Sequence, residues 1–219
     1  MSTKRPVSGN GKKPGKKHYA ILALVIVLAL AMLGVGTVLL NGWNKEDGDY
    51  LSGKHYVEIT VADYGVITAE LDADAAPITV TNFVKLTNEG FYDGLTFHRI
   101  IEDCMMQGGD PNGDGTGGSP DFIKGEFSAN GWDNPIKHER GVLSMARRSY
   151  PMDSASSQFF IIHQTSPWLD GQYAAFGRVL TGMEVVDAIC TNTPVVDDNG
   201  SVLPENQPVI TSIRVIDKP

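Results

Sequence analysis

Residues 108 to 121 read GGDPNGDGTGGSPD, and that spacing of oxygen donors and glycines could serve three chemistries. Asp110, Asn112, Asp114 and Gly115 fall at positions 1, 3, 5 and 6 of an EF-hand loop, with Asp121 at position 12, which would suit calcium. The glycines could instead cradle a phosphate, or only support chemistry done by neighbouring segments. Elsewhere Ser144, His98 and an aspartate could be nominated as a nucleophilic triad, and His55, His98, His138 and His163 as metal ligands. No nucleophile-elbow sequence surrounds Ser144, and no two of these histidines show H-x-x-x-H spacing.

The elements around the loop narrow the choice. An EF-hand needs a helix on each side, but FHRIIEDCMMQ before the loop reads as strand, and DFIKGEF after it is short and broken by glycine. No Gly-Lys-Ser/Thr follows to mark a phosphate loop. HYVEITVA and GVITAELD are β-rich runs separated by Asp63, Tyr64 and Gly65, the pattern of a hairpin. In DADAAPITVTNFVKLTNEG, Pro77 suits a helix's first turn, Val80, Phe83, Val84 and Thr87 share a face, and Gly90 supplies a stop. LTFHRII, GVLSMA, SQFFIIH, AAFGRVL and PVITSIRVID read as further strands, and GMEVVDAICTN as a second helix. Many strands with two isolated helices predict a mainly β fold, a closed or nearly closed antiparallel sheet rather than alternating βαβ units.

The 219 residues, 42% hydrophobic and 20% charged, suit one globular domain with an appendage. Six Lys and Arg and no acidic residue precede residue 19; beyond residue 44, twelve Lys and Arg face all 26 Asp and Glu, a formal charge of −14. So acidic a domain argues against nucleic-acid binding. Between them, residues 19–40 are 22 residues without a formal charge, enough at about 1.5 Å per residue to cross a hydrocarbon layer of roughly 30 Å. This predicts a transmembrane helix, with a basic cytoplasmic tail over 1–18, a linker over 41–54 and a domain over 55–219. A cleaved signal peptide is the alternative, but its apolar region would usually be shorter and end in an A-x-A-like site. The Lys and Arg excess places the N-terminus in the cytoplasm and the domain outside. An oxidising exterior would permit a bridge between Cys104 and Cys190.

FHRIIEDCMMQGGDPNGDGTGG, GVLSMAR, SSQFFI and WLDGQYAAFGRV, in that order and spacing, resemble the cyclophilin family of peptidyl-prolyl cis–trans isomerases. The resemblance spans residues 55–219. It implies a closed eight-stranded antiparallel barrel with two α-helices, a substrate groove on its outer face, and proline-containing polypeptides as substrates. It also implies Arg99 as the catalytic residue, Gln107 bonding the substrate backbone, and Met105, Phe160 and Leu169 lining a proline pocket. Gln158 and Trp168 match groove positions, Ala146 and Arg147 lie beside the bound peptide, and Trp168 makes cyclosporin an expected ligand. Cys104 stands where the family usually has phenylalanine in that pocket, Tyr173 where a histidine is common, and Arg147 where an asparagine is usual.

Elementary chemistry suits this activity. An X-Pro bond isomerises over a barrier of about 18–20 kcal/mol. Lowering it needs no metal, cofactor or nucleophile, only a pocket for the ring and a donor that weakens the C–N resonance. Arg99, always charged and carrying several N–H groups, suits that role. The expectation is a monomeric, membrane-anchored isomerase acting on secreted or envelope proteins; a proline-peptide-binding module with little turnover is the alternative.

Overall fold

The computed structural model describes residues 49–219, so the predicted tail, the membrane helix over 19–40 and most of the linker lie outside the described residues. Among the described residues no helix is long and apolar enough to cross a membrane. The folded unit runs from Tyr50 to Pro219 and starts slightly before the predicted His55. Leu51 N–H donates to Thr81 Oγ1 at 2.8 Å and Gly53 N–H to Asp74 Oδ1 at 2.7 Å, which ties the end of the linker to the domain.

Eight strands and two helices follow in order: β1 (Lys54–Val61), β2 (Gly65–Asp72), α1 (Pro77–Asn88), β3 (Thr96–Ile101), β4 (Met105–Asp110), β5 (Val142–Met145), β6 (Phe159–Ile162), β7 (Ala175–Thr181), α2 (Met183–Asn192) and β8 (Ile210–Ile216). They form one antiparallel sheet ordered β3-β4-β6-β5-β7-β2-β1-β8. Alternation sets the faces. Val57, Ile59 and Val61 of β1 and Ile67, Ala69 and Leu71 of β2 point into the core, and the Asp63 turn between them is left-handed at φ 65°. Phe83 of α1 fills the centre, with ring centroids 5.0 Å from Tyr92, 5.3 Å from Phe159 and 5.2 Å from Phe176. Leu86 is fully buried on that helix face, whereas the expected Val84 is only half-buried. The orphan N–H groups that open α1 are capped from a distance: the buried Glu126 carboxylate accepts from Ile78 N–H at 2.9 Å and Thr79 N–H at 2.8 Å.

Two expectations need correction. FHRIIEDCMMQ is not one strand: a turn at Glu102–Cys104 folds β3 back on β4, so Cys104 sits in the turn. Nor is the sheet closed. β3 and β8 are its edges and are joined only where they begin, by the Thr96–Val209 bridge just before β8, with Ile210 N–H donating to Leu95 O at 2.7 Å and Phe97 N–H to Pro208 O at 3.0 Å. Beyond that bridge the outer edge of β3 is occupied by the 200–202 segment, with Ile100 N–H donating to Gly200 O at 2.8 Å and Val202 N–H to His98 O at 3.0 Å. That segment takes the backbone groups a closing strand would need, and it brings Asn199 beside Arg99.

Candidate active site

The strand register lays the predicted residues in one row. Arg99 pairs with Gln107, Gln107 with Phe160, Phe160 with Ser144, and Ser144 with Ala175, crossing β3, β4, β6, β5 and β7. Their neighbours Ile100, Met106, Phe159, Ile161 and Leu143 belong to the interior core. The period of two therefore puts the row on the outer face. There Met105, Val142, Phe160, Ile162 and Ala175 form a second apolar cluster, joined by Cys104, Ala146, Leu169 and Tyr173.

A directed chain of hydrogen bonds runs along the rim. Arg99 Nη1 donates to Gln107 Oε1 at 3.2 Å, Gln107 Nε2 to Gln158 Oε1 at 2.8 Å, and Gln158 Nε2 to Gly117 O at 2.7 Å and Gly115 O at 3.1 Å. The guanidinium can only donate and the glycine carbonyls can only accept, so both amides have a single orientation. On its other side Arg99 donates from Nε to Asn199 O at 2.8 Å and from Nη2 to Asn199 Oδ1 at 3.0 Å. Of the five guanidinium N–H groups, three are thus engaged and two remain to meet a ligand.

Below this rim lies a groove of about 800 Å³, lined by Arg99, Cys104, Met105, Gln107, Ala146, Arg147, Phe160, Trp168, Leu169 and Tyr173. Phe160 forms the apolar floor. Tyr173 meets it edge-on at 5.7 Å and 87°, and His138 stacks on it at 6.1 Å and 16°. Trp168 stands at the edge, 64% exposed. The turn carrying Cys104 is pinned by His163 N–H donating to Cys104 O at 2.8 Å, and Ser166 Oγ lies 3.6 Å from its sulfur. Both cysteines are free thiols, so the bridge that an exterior location would permit is not formed.

Comparison with known proteins bears on this geometry. Residues 56–215 match the family model described as cyclophilin type peptidyl-prolyl cis-trans isomerase/CLD. The chain belongs to this family. It is 51% identical over 122 residues to peptidyl-prolyl cis-trans isomerase B of Bacillus subtilis, covering 56% of this chain and 81% of that one. It is 45% identical over 127 residues to a Helicobacter pylori peptidyl-prolyl cis-trans isomerase, covering 57% of this chain and 75% of that protein. A Cryptosporidium parvum cyclophilin-type isomerase, solved in the presence of the dipeptide Ala-Pro, superposes with a TM-score of 0.65 at 30% identity, covering 74% of this chain and 99% of that chain.

In this cyclophilin-type isomerase the glycine loop proves to be a support. Asp110 is buried, and its carboxylate accepts N–H groups from Asn112 at 2.8 Å, Asp114 at 3.2 Å and Gly115 at 2.6 Å, so its oxygens staple the loop together. Asp121, at the twelfth position, lies 3.7 Å from Lys85 instead. Gly115 adopts φ 88°, and a Cβ on Gly117 would lie 2.2 Å from Asp110 Oδ1, so the two carbonyls that hold Gln158 need glycine at both places. The loop acts on Gln107 through Gln158, not directly. Gln158 itself lines an adjoining cavity of about 300 Å³ with Phe122, Arg147 and Arg148. The Arg147 guanidinium packs 4.9 Å from both Phe127 and Tyr173 and donates to Gln172 O, which fixes Tyr173 against Phe160.

Sequence reasoning missed Asn199 and Asp170, and weighed His138 only as a metal ligand. His138 Nδ1 lies 3.0 Å from Asp170 Oδ1 and its Nε2 lies 3.0 Å from Ser144 Oγ, so Ser144 does sit in a Ser–His–Asp relay, but with His138 rather than the nominated His98. Ser144 is 0% exposed, which bars nucleophilic attack on a substrate. His98, also buried, has no hydrogen-bond partner on either ring nitrogen among the described residues and lies beside Gly115. Burial lowers the pKa of both His98 and His138, against the pull of neighbouring carboxylates.

Proposed function

We propose that the groove binds an X-Pro segment with the proline ring on Phe160, Met105 and Leu169, while Arg99 donates to the prolyl nitrogen as the amide twists. The observation that carries this reading is the Arg99 fork, held on three sides with two N–H groups left above the apolar floor. Donation to that nitrogen localises its lone pair and weakens the partial double bond, an interaction stronger in the twisted state than in the planar one. Gln107, held by Gln158, fixes the flanking backbone, while Trp168 closes the edge and offers a contact for cyclosporin. The Ala-Pro dipeptide in the Cryptosporidium parvum study supports a proline-peptide groove.

The domain acts outside the membrane, on secreted or envelope proteins. That reading is supported by the charge-free run over 19–40 and the basic residues before it. Isomerase activity of the full chain on an uncharged prolyl peptide, with protease digestion of intact cells, tests both parts. Absence of turnover removes the first, and protection of the domain until the membrane is breached removes the second. The second reading, a peptide-binding module, is favoured by one observation: Cys104 leaves the pocket wall smaller than an aromatic ring would.

A further inference from the structure

The Ser144–His138–Asp170 relay touches no substrate, yet it lies directly behind the floor of the groove. Asp170 Oδ1 accepts from the His138 backbone N–H at 2.8 Å and faces Nδ1 at 3.0 Å. A carboxylate only accepts, so Nδ1 carries a proton, and in the neutral ring that burial favours Nε2 is bare. The bare nitrogen accepts the Ser144 hydroxyl at 3.0 Å. Ser144 is the register partner of Phe160, and the His138 ring lies nearly parallel to the Phe160 ring. His138 is 1% exposed and Ser144 0%, so no solvent can replace a lost partner at this point.

We propose that His138 is a positioning residue for isomerisation: its neutral ring, locked between Asp170 and Ser144, holds Phe160 in the orientation that receives proline, and protonation of His138 unlocks it. The proposal rests on the isomerase reading of the groove. A second proton on Nε2 turns an acceptor into a donor that faces the Ser144 hydroxyl hydrogen. The hydroxyl must rotate away and give up its buried acceptor, and the stack beneath Phe160 loses its fixed edge. The charged groups acting on the ring are Asp170, from the turn after Leu169, and Lys137, from its own segment; Ser144 of β5 and Phe160 of β6 face it as neutral groups. Burial outweighs Asp170, so the lock stays closed at neutral pH and opens below the ordinary histidine range.

The test uses the full chain and an uncharged prolyl peptide, with turnover read by NMR exchange from about pH 8 down to about pH 4, past the ordinary histidine range. Acidification is expected to lower kcat/KM about fivefold, the worth of one neutral hydrogen bond. The Phe160 ring signals should move with the same midpoint as the His138 ring signals. Asp170→Asn keeps an acceptor but removes the charge, and should shift both midpoints to lower pH. His138→Gln should abolish both, whereas His98→Gln should leave the Phe160 midpoint in place. Phe160 signals that stay fixed while His138 titrates, an acid limb that persists in His138→Gln, or a midpoint that disappears with His98→Gln would each overturn the proposal. The titration of the unmutated chain needs no variant to fold. Failure of the isomerase reading is separable: turnover is then absent at every pH, while the signals still report whether His138 moves Phe160.

Discussion

Replacing Arg99 by lysine separates the effect of charge from that of the fork. Arg99→Lys keeps one positive charge but confines it to a single nitrogen with three N–H groups. The native side chain holds Asn199 O at 2.8 Å, Asn199 Oδ1 at 3.0 Å and Gln107 Oε1 at 3.2 Å, and still has two N–H groups over. An ammonium that satisfied those three acceptors would have none left for the prolyl nitrogen. If charge alone mattered, a partly exposed cation is worth about 0–1 kcal/mol, and kcat/KM would stay within roughly fivefold of the native value. If the fork supplies a preorganised donor to the twisted amide, its loss costs about 10²–10³ in rate. We expect the larger figure, with KM changed little because Phe160, Met105 and Leu169 are untouched. The assay is kcat and KM on a prolyl peptide, with circular dichroism and thermal melting to confirm the fold. Activity within about fivefold of native, in a folded variant, would refute the mechanism by this comparison.

Cys104 lines the groove while Cys190 is 4% exposed with its thiol pushed up to about 12 by burial, so a thiol reagent should label Cys104 alone in the folded protein, and equal labelling would contradict the placement. Cys104→Phe should add on the order of 1–3 kcal/mol of apolar contact to bound peptide, lowering KM with kcat steady if the contact is equal in both states; unchanged KM and unchanged cyclosporin affinity would place Cys104 outside the pocket. His98 and His138 are held below the ordinary 6.5, so the unfolded chain takes up protons first, and the stability these neutral rings confer is present above that pH and lost as pH falls through their folded values. Glu126, raised above 4.5 by burial, acts in the opposite sense: its contribution is present below 4.5 and lost as pH rises through its folded value. The melting temperature should therefore decline on acidification below pH 6.5, less steeply in His138→Gln, and an unchanged slope in that variant would remove His138 as a cause.

The parts legible in the sequence are those set by local pattern. Alternation marks β1, β2 and β8, and Pro77 and Gly90 bracket α1, while Arg99 is singled out by the family resemblance that FHRII carries. The errors fall where a long-range partner decides. Whether β3 meets β8 depends on the 197–209 segment, which reaches the β3 edge first from about 100 residues away in sequence and carries Asn199 with it. Asp170 lies 32 residues from His138, and Gln158 is 41 residues from the Gly117 carbonyl that orients it. No periodicity or spacing rule reaches across such intervals. The opening loop is read by its flanks rather than by its own spacing: its oxygens have calcium-like intervals, but no helices bracket it, and the fold turns Asp110 inward on its own backbone.

Placement of the groove on the outside of the sheet follows from the same alternation that builds the core. The interior face is filled by Phe83, Tyr92, Phe97, Phe159 and Phe176, all 0% exposed, and holds the fold together without any catalytic residue. The opposite face of β3, β4 and β6 is then free to carry Arg99, Gln107 and Phe160 one strand apart, at positions fixed by backbone pairing rather than by flexible loops. Such a row suits a reaction without a covalent step, which in the proposed mechanism needs only a fixed distance between a donor and an apolar floor. The loops contribute one level further out: Gly115 and Gly117 orient Gln158, Asn199 holds the far side of Arg99, and Arg147 holds Tyr173 against the floor. Changes in those loops should alter efficiency and peptide preference before they alter the fold, since none of these contacts lies in the interior core.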